Sequence, residues 1–583
     1  MNKKIEIDYS KIETPEQITL LMESLGILKN KLQSINEKEE KEKDTKDDDS
    51  NKPEPKINKK VEDAGDDDKN KPDPKDCIFK HIIVFTNSKD PKDNKTLKNI
   101  QDSLSKKGKF GVADISLHLF LAEKTWIEDN EETGELKISD GTEEFIVTPE
   151  GANNLNTLIF SRLSVQESYD CKSTVQHLQD RGFLVLNPVR YSELASNKYE
   201  TAELLRKAEI PQPRYALLTK ADLNDPKVFL EDLKGIYPKV PKLDGKEPKG
   251  AEEKLAAYLA SEEQEYVVKI LDGHGGTGVF LTNGKRMLAI LQTIFAIDPE
   301  VNLLVQKKEE ADGGDIRVHV LTLRNKQVIL GSMKRVKLGN DFRSNVSLGA
   351  TAEPIKLSKD QEEIALKVAS LSKLPWCAVD IMPIVKGSNP EFPNNNVVLE
   401  INSSPGTAGI SEVLKENFID ILLTELDDPN EFMLQPKTAG YKETCTINFD
   451  KEGKIKKEFL AKLDTGNSVK ACTLEVGKFE VVKKDGKEFI KFEVDGTELE
   501  FEKMDEIEVK AGYEEYKRSC IMIPELTLGL RKCRNVQMAI VEHRDNKSTN
   551  LLLNTDILSK LGYVIHPTDT HILTHEIEKV KIL

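Results

Sequence analysis

KILDGHGGTGVFL, residues 269–281, sets four glycines, Gly273, Gly275, Gly276 and Gly278, within six positions, directly behind a lysine that closes an apolar run. Gly273, Gly275 and Gly278 satisfy G-x-G-x-x-G. The dinucleotide fingerprint, however, needs a strand before the glycines and a helix after them, so that the pyrophosphate sits on the helix N-terminus. Here the exit is Val279-Phe280-Leu281, a β-type run, followed by the turn pair Asn283-Gly284. A strand on both sides makes the segment a glycine-rich hairpin. Such a hairpin can lie over a triphosphate as a flap: backbone N–H groups unobstructed by any Cβ face the phosphates, and Lys269 adds a point charge at the base. A surface hairpin without a ligand satisfies the same residues, so the neighbouring sequence has to decide.

Three neighbouring stretches meet the needs of a magnesium triphosphate. VLEIN (398–402) reads as a strand, and its period of two puts Glu400 and Asn402 on one face as adjacent oxygen donors. Asp380, in AVDIM, ends another apolar run and supplies a third oxygen. SSPGTAGI (403–410) is a small-residue turn that lets a substrate approach the backbone. DIRVHV (315–320) and KRVKLGNDFRSN (334–345) place Arg317, Arg335 and Arg343 in or beside strand-like segments, where an unpaired guanidinium is costly. Either each pairs with a carboxylate such as Asp315 or Asp341, or together they form a cationic pocket for phosphate and carboxylate groups.

KILDGHGGTGVFL, LLVQKKEEADGGDIRV, KRVKLGNDFRSNVSLGA and VLEINSSPGTAGI, in that order, resemble the ATP-grasp fold, and specifically the RimK-type ligases that add glutamate to protein C-termini. The resemblance covers about residues 155–425, with 77–190 fitting the family's pre-ATP-grasp domain. It implies ATP bound between two α+β lobes, phosphorylation of a carboxylate, and displacement of phosphate by an amine to give an amide. It further implies that Lys198 and Lys269 hold the phosphates, with Gly275 and Gly276 in the closing hairpin, and that Asp315 contacts the ribose. Arg343 and Asn345 then address the γ-phosphate and the acyl phosphate, Arg317 joins them in catalysis, and Asp380, Glu400 and Asn402 carry Mg2+, with Mn2+ as the alternative. A lid suits this chemistry, because an acyl phosphate hydrolyses readily and cations stabilise charge during phosphoryl transfer. Two departures stand out. Lys307 and Lys308 occupy the inter-lobe hinge positions where the family usually has Glu and an aromatic, so the resemblance implies that their backbone groups hold the adenine. GSNPEFPNNN also lengthens the segment between Asp380 and Glu400 into an extended hairpin.

The rest of the chain frames this core. Its 583 residues, 38% apolar and 32% charged, allow two to four soluble domains. A net charge of −16 excludes a general nucleic-acid binder, and no apolar run approaches a membrane span or a secretion signal. Seven scattered cysteines without a C-x-x-C pair read as reduced thiols, hence a cytoplasmic setting. Thr14, Pro15 and Gln17 open a helix within residues 1–36 whose Ile18, Leu21, Leu25, Leu28, Leu32 and Ile35 are spaced either as the seam of a short coiled coil or as a face that docks on a later domain. Residues 37–76, in which DDDSNKPEPK recurs as DDDKNKPDPK, read as a disordered acidic tether. HIIVF (81–85), NTLIF (156–160) and FLVLN (183–187), alternating with helix-like stretches at 95–106 and 167–182, suggest a parallel α/β sheet. The ATP-grasp domain spans 191–430, with a helix over 198–209 and a lysine-rich surface excursion between about 225 and 265.

From 441 the texture turns all-β. AKLDTGNSVKACTLEV (461–476) contains the chain's single D-T-G, and STNLLLNTDIL follows some eighty residues on. This resembles the retropepsin-like peptidases, most closely the RimB-type domain, over 441–583, and implies Asp464 as the catalytic carboxylate. One D-T-G per chain makes a homodimer necessary for a working peptidase, since two such carboxylates must share a proton. Asn554 stands where the family's supporting motif has Gly, and Asn467 where Ala is common. An inert β-domain turn accommodates the same D-T-G. His571 and His575 are spaced for a zinc site on a helix, but THILTH reads as a strand.

The whole is therefore expected to be multidomain: an α/β pre-ATP-grasp domain, an α+β ATP-grasp domain and an all-β retropepsin-like barrel. Its substrates would be ATP, glutamate and a protein or peptide C-terminus. An ATP-grasp enzyme making a small peptide or amide metabolite is an alternative, with Arg162 and Arg317 as carboxylate binders. A catalytically decayed assembly scaffold is another.

Overall fold

The computed structural model describes residues 77–574 apart from 93, 107, 112–114, 131–134, 149–152, 163–168, 272–277, 337–350, 435, 512–513 and 543–548. The N-terminal helix, the tether and His575 lie outside the described residues, as do Gly273, Gly275, Gly276, Asp341, Arg343 and Asn345.

Strands β1 (His81–Thr86), β2 (Ser116–Leu121), β6 (Thr157–Ser161) and β7 (Leu184–Leu186) form one parallel sheet in the order β2-β1-β6-β7. Continuous apolar runs build it because both faces are covered. Ile82, Val84, Leu158, Phe160, Leu184 and Leu186 point to the side of helix Lys95–Leu104, while Ile83, Phe85, Ile159 and Val185 meet helix Tyr169–Asp180 through Cys171, Val175 and Leu178. Asn94 opens the first helix by accepting from Leu97 N at 3.0 Å. Between β2 and β6 the chain makes an antiparallel meander, β3 (Trp126–Asn130), β4 (Glu135–Ser139) and β5 (Glu144–Val147), that the sequence reading did not anticipate.

Next come β8 (Tyr215–Leu218), β9 (Glu265–Ile270), β10 (Val279–Asn283) and β11 (Leu303–Lys307), in one sheet ordered β10-β9-β11-β8. The expected strands on both sides of the glycines are β9 and β10. Asn283-Gly284, read above as a turn pair, instead starts helix Gly284–Ile297, with Asn283 accepting from Arg286 N. The excursion over 225–265 is also corrected. It contains helices Pro226–Ile236 and Ala251–Ala260, which bury Phe229, Leu230, Leu233, Ile236 and Tyr258. Residues Ala216–Tyr266 and Thr282–Leu303 belong to one of the two compact units of the chain.

The second unit includes a five-stranded antiparallel sheet, β14-β13-β12-β15-β16, from β12 (Asp315–Thr322), β13 (Gln327–Val336), β14 (Thr351–Pro354), β15 (Trp376–Pro383) and β16 (Asn396–Asn402). Ile316, Val318, Val320, Cys377, Val379, Ile381, Val398 and Ile401 pack against helix Lys359–Ser372 on one face. Period two therefore turns Asp315, Arg317 and Asp380 to the other face.

The same unit ends in an all-β domain, as the sequence predicts. It comprises β17 (Lys437–Asn448), β18 (Lys456–Leu463), β19 (Cys472–Val476), β20 (Phe479–Lys484), β21 (Lys487–Val494), β22 (Thr497–Glu502), β23 (Met504–Ala511), β24 (Glu514–Leu528), β25 (Arg531–Glu542), β26 (Leu551–Leu553) and β27 (Tyr563–Thr570). The large sheet runs β23-β24-β25-β19-β26-β18-β17-β27, and β17 also pairs with β24, which closes six strands into a ring around Cys445, Ile447, Leu474, Ile523, Met538 and Leu551. THILTH is not a strand: β27 stops at Thr570, and His571 takes φ +52°. The seven cysteines are all free thiols. Among the described residues no helix is long and apolar enough to cross a membrane.

Candidate functional site

The face of the five-stranded sheet opposite helix Lys359–Ser372 carries a row of charge. Register puts Arg317 of β12 beside Asp380 of β15, Asp380 beside Glu400 of β16, and Asp315 of β12 beside Arg335 of β13. A bulge between Asp380 and Ile381 sets Glu400 opposite Asp380 but Val398 opposite Ile381. Without that extra residue Val398 and Glu400 would share a face. The bulge lets Val398 enter the core while Glu400 and Asn402 face the charged row.

Both arginines are paired, which realises the ion-pair alternative for Arg317 and Arg335. Arg317 donates from Nε and Nη2 to the two oxygens of Asp380 at 2.7 and 2.7 Å. Arg335 grips Asp315 at 2.6 and 2.8 Å and reaches Asp380 Oδ2 at 2.7 Å. Asn402 Nδ2 donates to Asp380 Oδ2 at 3.2 Å and to Glu400 Oε1 at 3.4 Å. Burial alone would raise the Asp380 carboxyl, but the two guanidiniums prevail and hold it well below the usual carboxylate range. Burial and the Asp380 charge push Asp315 up to about 6 against the pull of Arg335. The expected ribose contact therefore starts from a carboxylate already held in a bidentate pair. The turn before β12 depends on Gly314, at φ +125°, where a Cβ would stand 2.2 Å from the Arg335 carbonyl oxygen.

Lys269 adjoins this row, and Lys198 adjoins Lys269. Lys269, near the end of β9, is pulled down to about 8 by burial and by the neighbouring charge of Lys198, while Glu400 and Asp380 act against that fall. Lys198 opens helix Lys198–Lys207 behind the N-cap Asn197, and its Nζ donates to Leu271 O at 3.1 Å. At the far end of the glycine loop Gly278, at φ +72°, accepts from Ile270 N at 2.9 Å, and a Cβ there would meet Ile270 Cδ1 at 2.9 Å.

For magnesium the donor chemistry fits, because carboxylate and amide oxygens are its ligands. Glu400, with a side chain 39% exposed, and the neighbouring Asn402 are the accessible donors. Asp380 is committed to Arg317 and Arg335. Among the described residues no group of three or more His, Cys, Asp or Glu side chains is disposed to hold a metal.

The two departures noted in the sequence touch each other. Lys307 Nζ lies 3.0 Å from Glu309 Oε1, and Asn389 of the lengthened hairpin donates to the same oxygen at 3.0 Å. Glu391 of that hairpin receives a bidentate pair from Arg214, whose carbonyl accepts from Lys307 N. Lys308, also half-buried, adjoins this contact. Sequence reading saw the hairpin but not that it clasps the exit of β11.

In the closed β-domain Asp464 follows β18 on a loop with Thr465 and Gly466 exposed. Asp464 N donates to Leu553 O at 3.0 Å, and its Oδ1 accepts from Gly466 N at 3.0 Å. Asn554 caps helix Thr555–Lys560 and donates to Val469 O at 2.7 Å, so it ties the D-T-G loop to β26.

Residues 248–426 match the RimK-like ATP-grasp domain. Curated relatives are each called "Probable alpha-L-glutamate ligase". The protein of Vibrio atlanticus is 35% identical over 158 residues, 27% of this chain and 48% of its own length. That of Rhodopirellula baltica is 30% identical over 231 residues, 38% of this chain and 49% of its own. The chain spans about half the length of the curated relatives it matches. Among solved structures, the ATP-grasp ligase PsnB with its minimal precursor aligns over 60% of this chain and 99% of its own, at 16% identity and TM-score 0.40.

Proposed function

We propose that the chain is an ATP-dependent carboxylate–amine ligase that adds glutamate to a protein or peptide C-terminus through an acyl phosphate. The carrying observation is the row of Asp380, Glu400 and Asn402 on one face of the sheet, with Lys269 beside Glu400 and Asp380 and Lys198 beside Lys269. The match to the RimK-like domain and the relatives' names support the same reading. Lys198 and Lys269 bind the phosphates, and the hairpin between β9 and β10 shields the reacting carboxylate from water. Arg317 fixes the carboxylate row, while Arg343 and Asn345, outside the described residues, address the transferred phosphoryl group. Glu400 and Asn402, with Asp380, would hold Mg2+ or Mn2+, which offsets phosphate charge when bound. The terminal carboxylate takes the γ-phosphoryl group, the glutamate amine attacks the acyl carbon, phosphate leaves, and the amine gives up a proton. Mg·ATP, L-glutamate and an oligo-glutamate peptide should release phosphate, and Glu400→Ala should abolish it. Release unchanged in the variant defeats the assignment.

A second reading concerns residues 437–574. The ties of Asp464 to Leu553 and of Asn554 to Val469 favour an aspartic peptidase half-site of the retropepsin-like type, completed by a second copy of the chain. It would trim the ligase's product. Cleavage of poly-glutamate by the wild type and its loss in Asp464→Asn, with phosphate release intact, is the test.

A further inference from the structure

In the parallel sheet, β1 is followed by β2 on one side, and the chain then returns to lay β6 and β7 on the other. The order reverses between β1 and β6, and in open parallel sheets ligands gather outside the carboxyl ends of the strands at such a reversal. Arg162 is the first residue past β6, and its N–H donates to Phe85 O near the end of β1 at 3.0 Å. Its side chain therefore issues from the switch point.

The guanidinium there is incompletely served. Nη1 donates to Pro405 O at 3.1 Å and Nη2 to Ser404 O at 3.2 Å, both in the turn that follows Asn402. Among the described residues no carboxylate pairs with it, whereas Arg317 and Arg335 each hold one bidentately. Burial drags it down to about 10. Ser404 and Pro405, which it holds, lie two and three residues past Asn402 and so tie it to the end of the charged row. Arg531, which also donates to backbone carbonyls, differs in that it closes the end of a helix and stacks on Tyr563. A half-buried cation with only carbonyl partners still lacks a counter-charge, which an anion would supply.

Resting on the ligase reading, we infer that Arg162 binds a spectator carboxylate of the amino-acid substrate, one not consumed in the new amide bond. A planar fork suits a carboxylate bidentately, and the Ser404–Pro405 carbonyls fix its orientation. The residue is thus a specificity determinant, which selects acidic amines and orients the attacking nitrogen.

The test uses the full chain with Mg·ATP and an oligo-glutamate acceptor, and compares L-glutamate with its α-amide and its γ-amide by phosphate release. Wild type is expected to prefer glutamate over one of the two amides by at least ~50-fold in kcat/KM. In Arg162→Gln that preference should shrink to within a few-fold through KM, with the dissociation constant of Mg·ADP unchanged; Arg162→Lys, which keeps the charge, should retain part of it. Full preference surviving in Arg162→Gln overturns the inference. So does a rise confined to the KM of the peptide, which would assign Arg162 to the other substrate. Wild-type enzyme that discriminates against neither amide overturns it without any variant. Absence of Mg·ATP-dependent phosphate release in wild type with every substrate pair instead overturns the ligase reading, and this inference with it.

Discussion

Burial lowers the Lys269 ammonium to about 8, so its charge is measurable across an accessible pH range. Below that value it is protonated and attracts phosphate; above it the free protein loses the charge. Bound nucleotide favours the charged form, so binding of Mg·ADP at pH 8.5 should take up about three-quarters of a proton, and at pH 6.5 almost none. Calorimetry in two buffers of different ionisation enthalpy reads this directly, and Lys269→Met should make the two enthalpies equal at both pH values. Asp380 and Glu400 separate stability from function. Asp380 is 1% exposed and answers two arginines, so Asp380→Asn should lower unfolding stability by about 3–5 kcal/mol in urea. Glu400 is far more open, so Glu400→Gln should change stability by less than about 1 kcal/mol while phosphate release is lost. A stable, active Asp380→Asn variant would remove the charged row from the account.

Strand β12 owes its alignment to the turn before it. Gly314 sits at a φ that no L side chain favours, with a backbone carbonyl 2.2 Å from its missing Cβ. Gly314→Ala should therefore cost at least about 2 kcal/mol and raise the KM for ATP, because Asp315 and Arg317 follow directly. Unfolding curves and initial rates on the same preparation check both. The glycines of that turn are visible in ADGGDIRV, but the approach of a carbonyl 21 residues downstream leaves no local mark. The elements that were legible had local causes: β1, β6 and β7 are continuous apolar runs, and Glu400 and Asn402 share a face by period two. Lysines hid the apolar stripe of Phe229, Leu230, Leu233 and Ile236, so helix Pro226–Ile236 read as a surface excursion. The bulge beside Asp380 and the Asn389–Glu309 clasp depend on strand pairing and on contacts across 80 residues, which spacing does not encode.

At the scale of the whole molecule, the parallel sheet and the closed β-domain fall in one compact unit, and Arg531 makes the largest set of bonds between them, beside a bond from Asn154 to Lys532 O. Its guanidinium is fully buried and donates to Leu561 O and Gly562 O of its own domain, and to Gln179 O and Asp180 O at the C-terminus of helix Tyr169–Asp180. A cation there meets the negative end of the helix dipole, and the Tyr563 ring lies 5.1 Å away. Gly182 leaves it room, since a Cβ would stand 2.6 Å from Arg531 Cγ. Asn430 adds backbone bonds to Arg534, and Arg324 pairs with Asp556 at 2.7 Å, so the β-domain is fastened at more than one point. Calorimetric unfolding of the wild type should therefore show these domains melting together. Arg531→Ala removes four hydrogen bonds of one buried cation at once, worth about 3–5 kcal/mol, and should split the transition so that the β-domain and the parallel-sheet domain melt separately. Arg324→Ala, which loses a partly exposed pair, should shift the joint transition by only a few degrees without splitting it. One unsplit transition in Arg531→Ala, at the wild-type temperature, would mean that the two domains are held together by the remaining contacts alone.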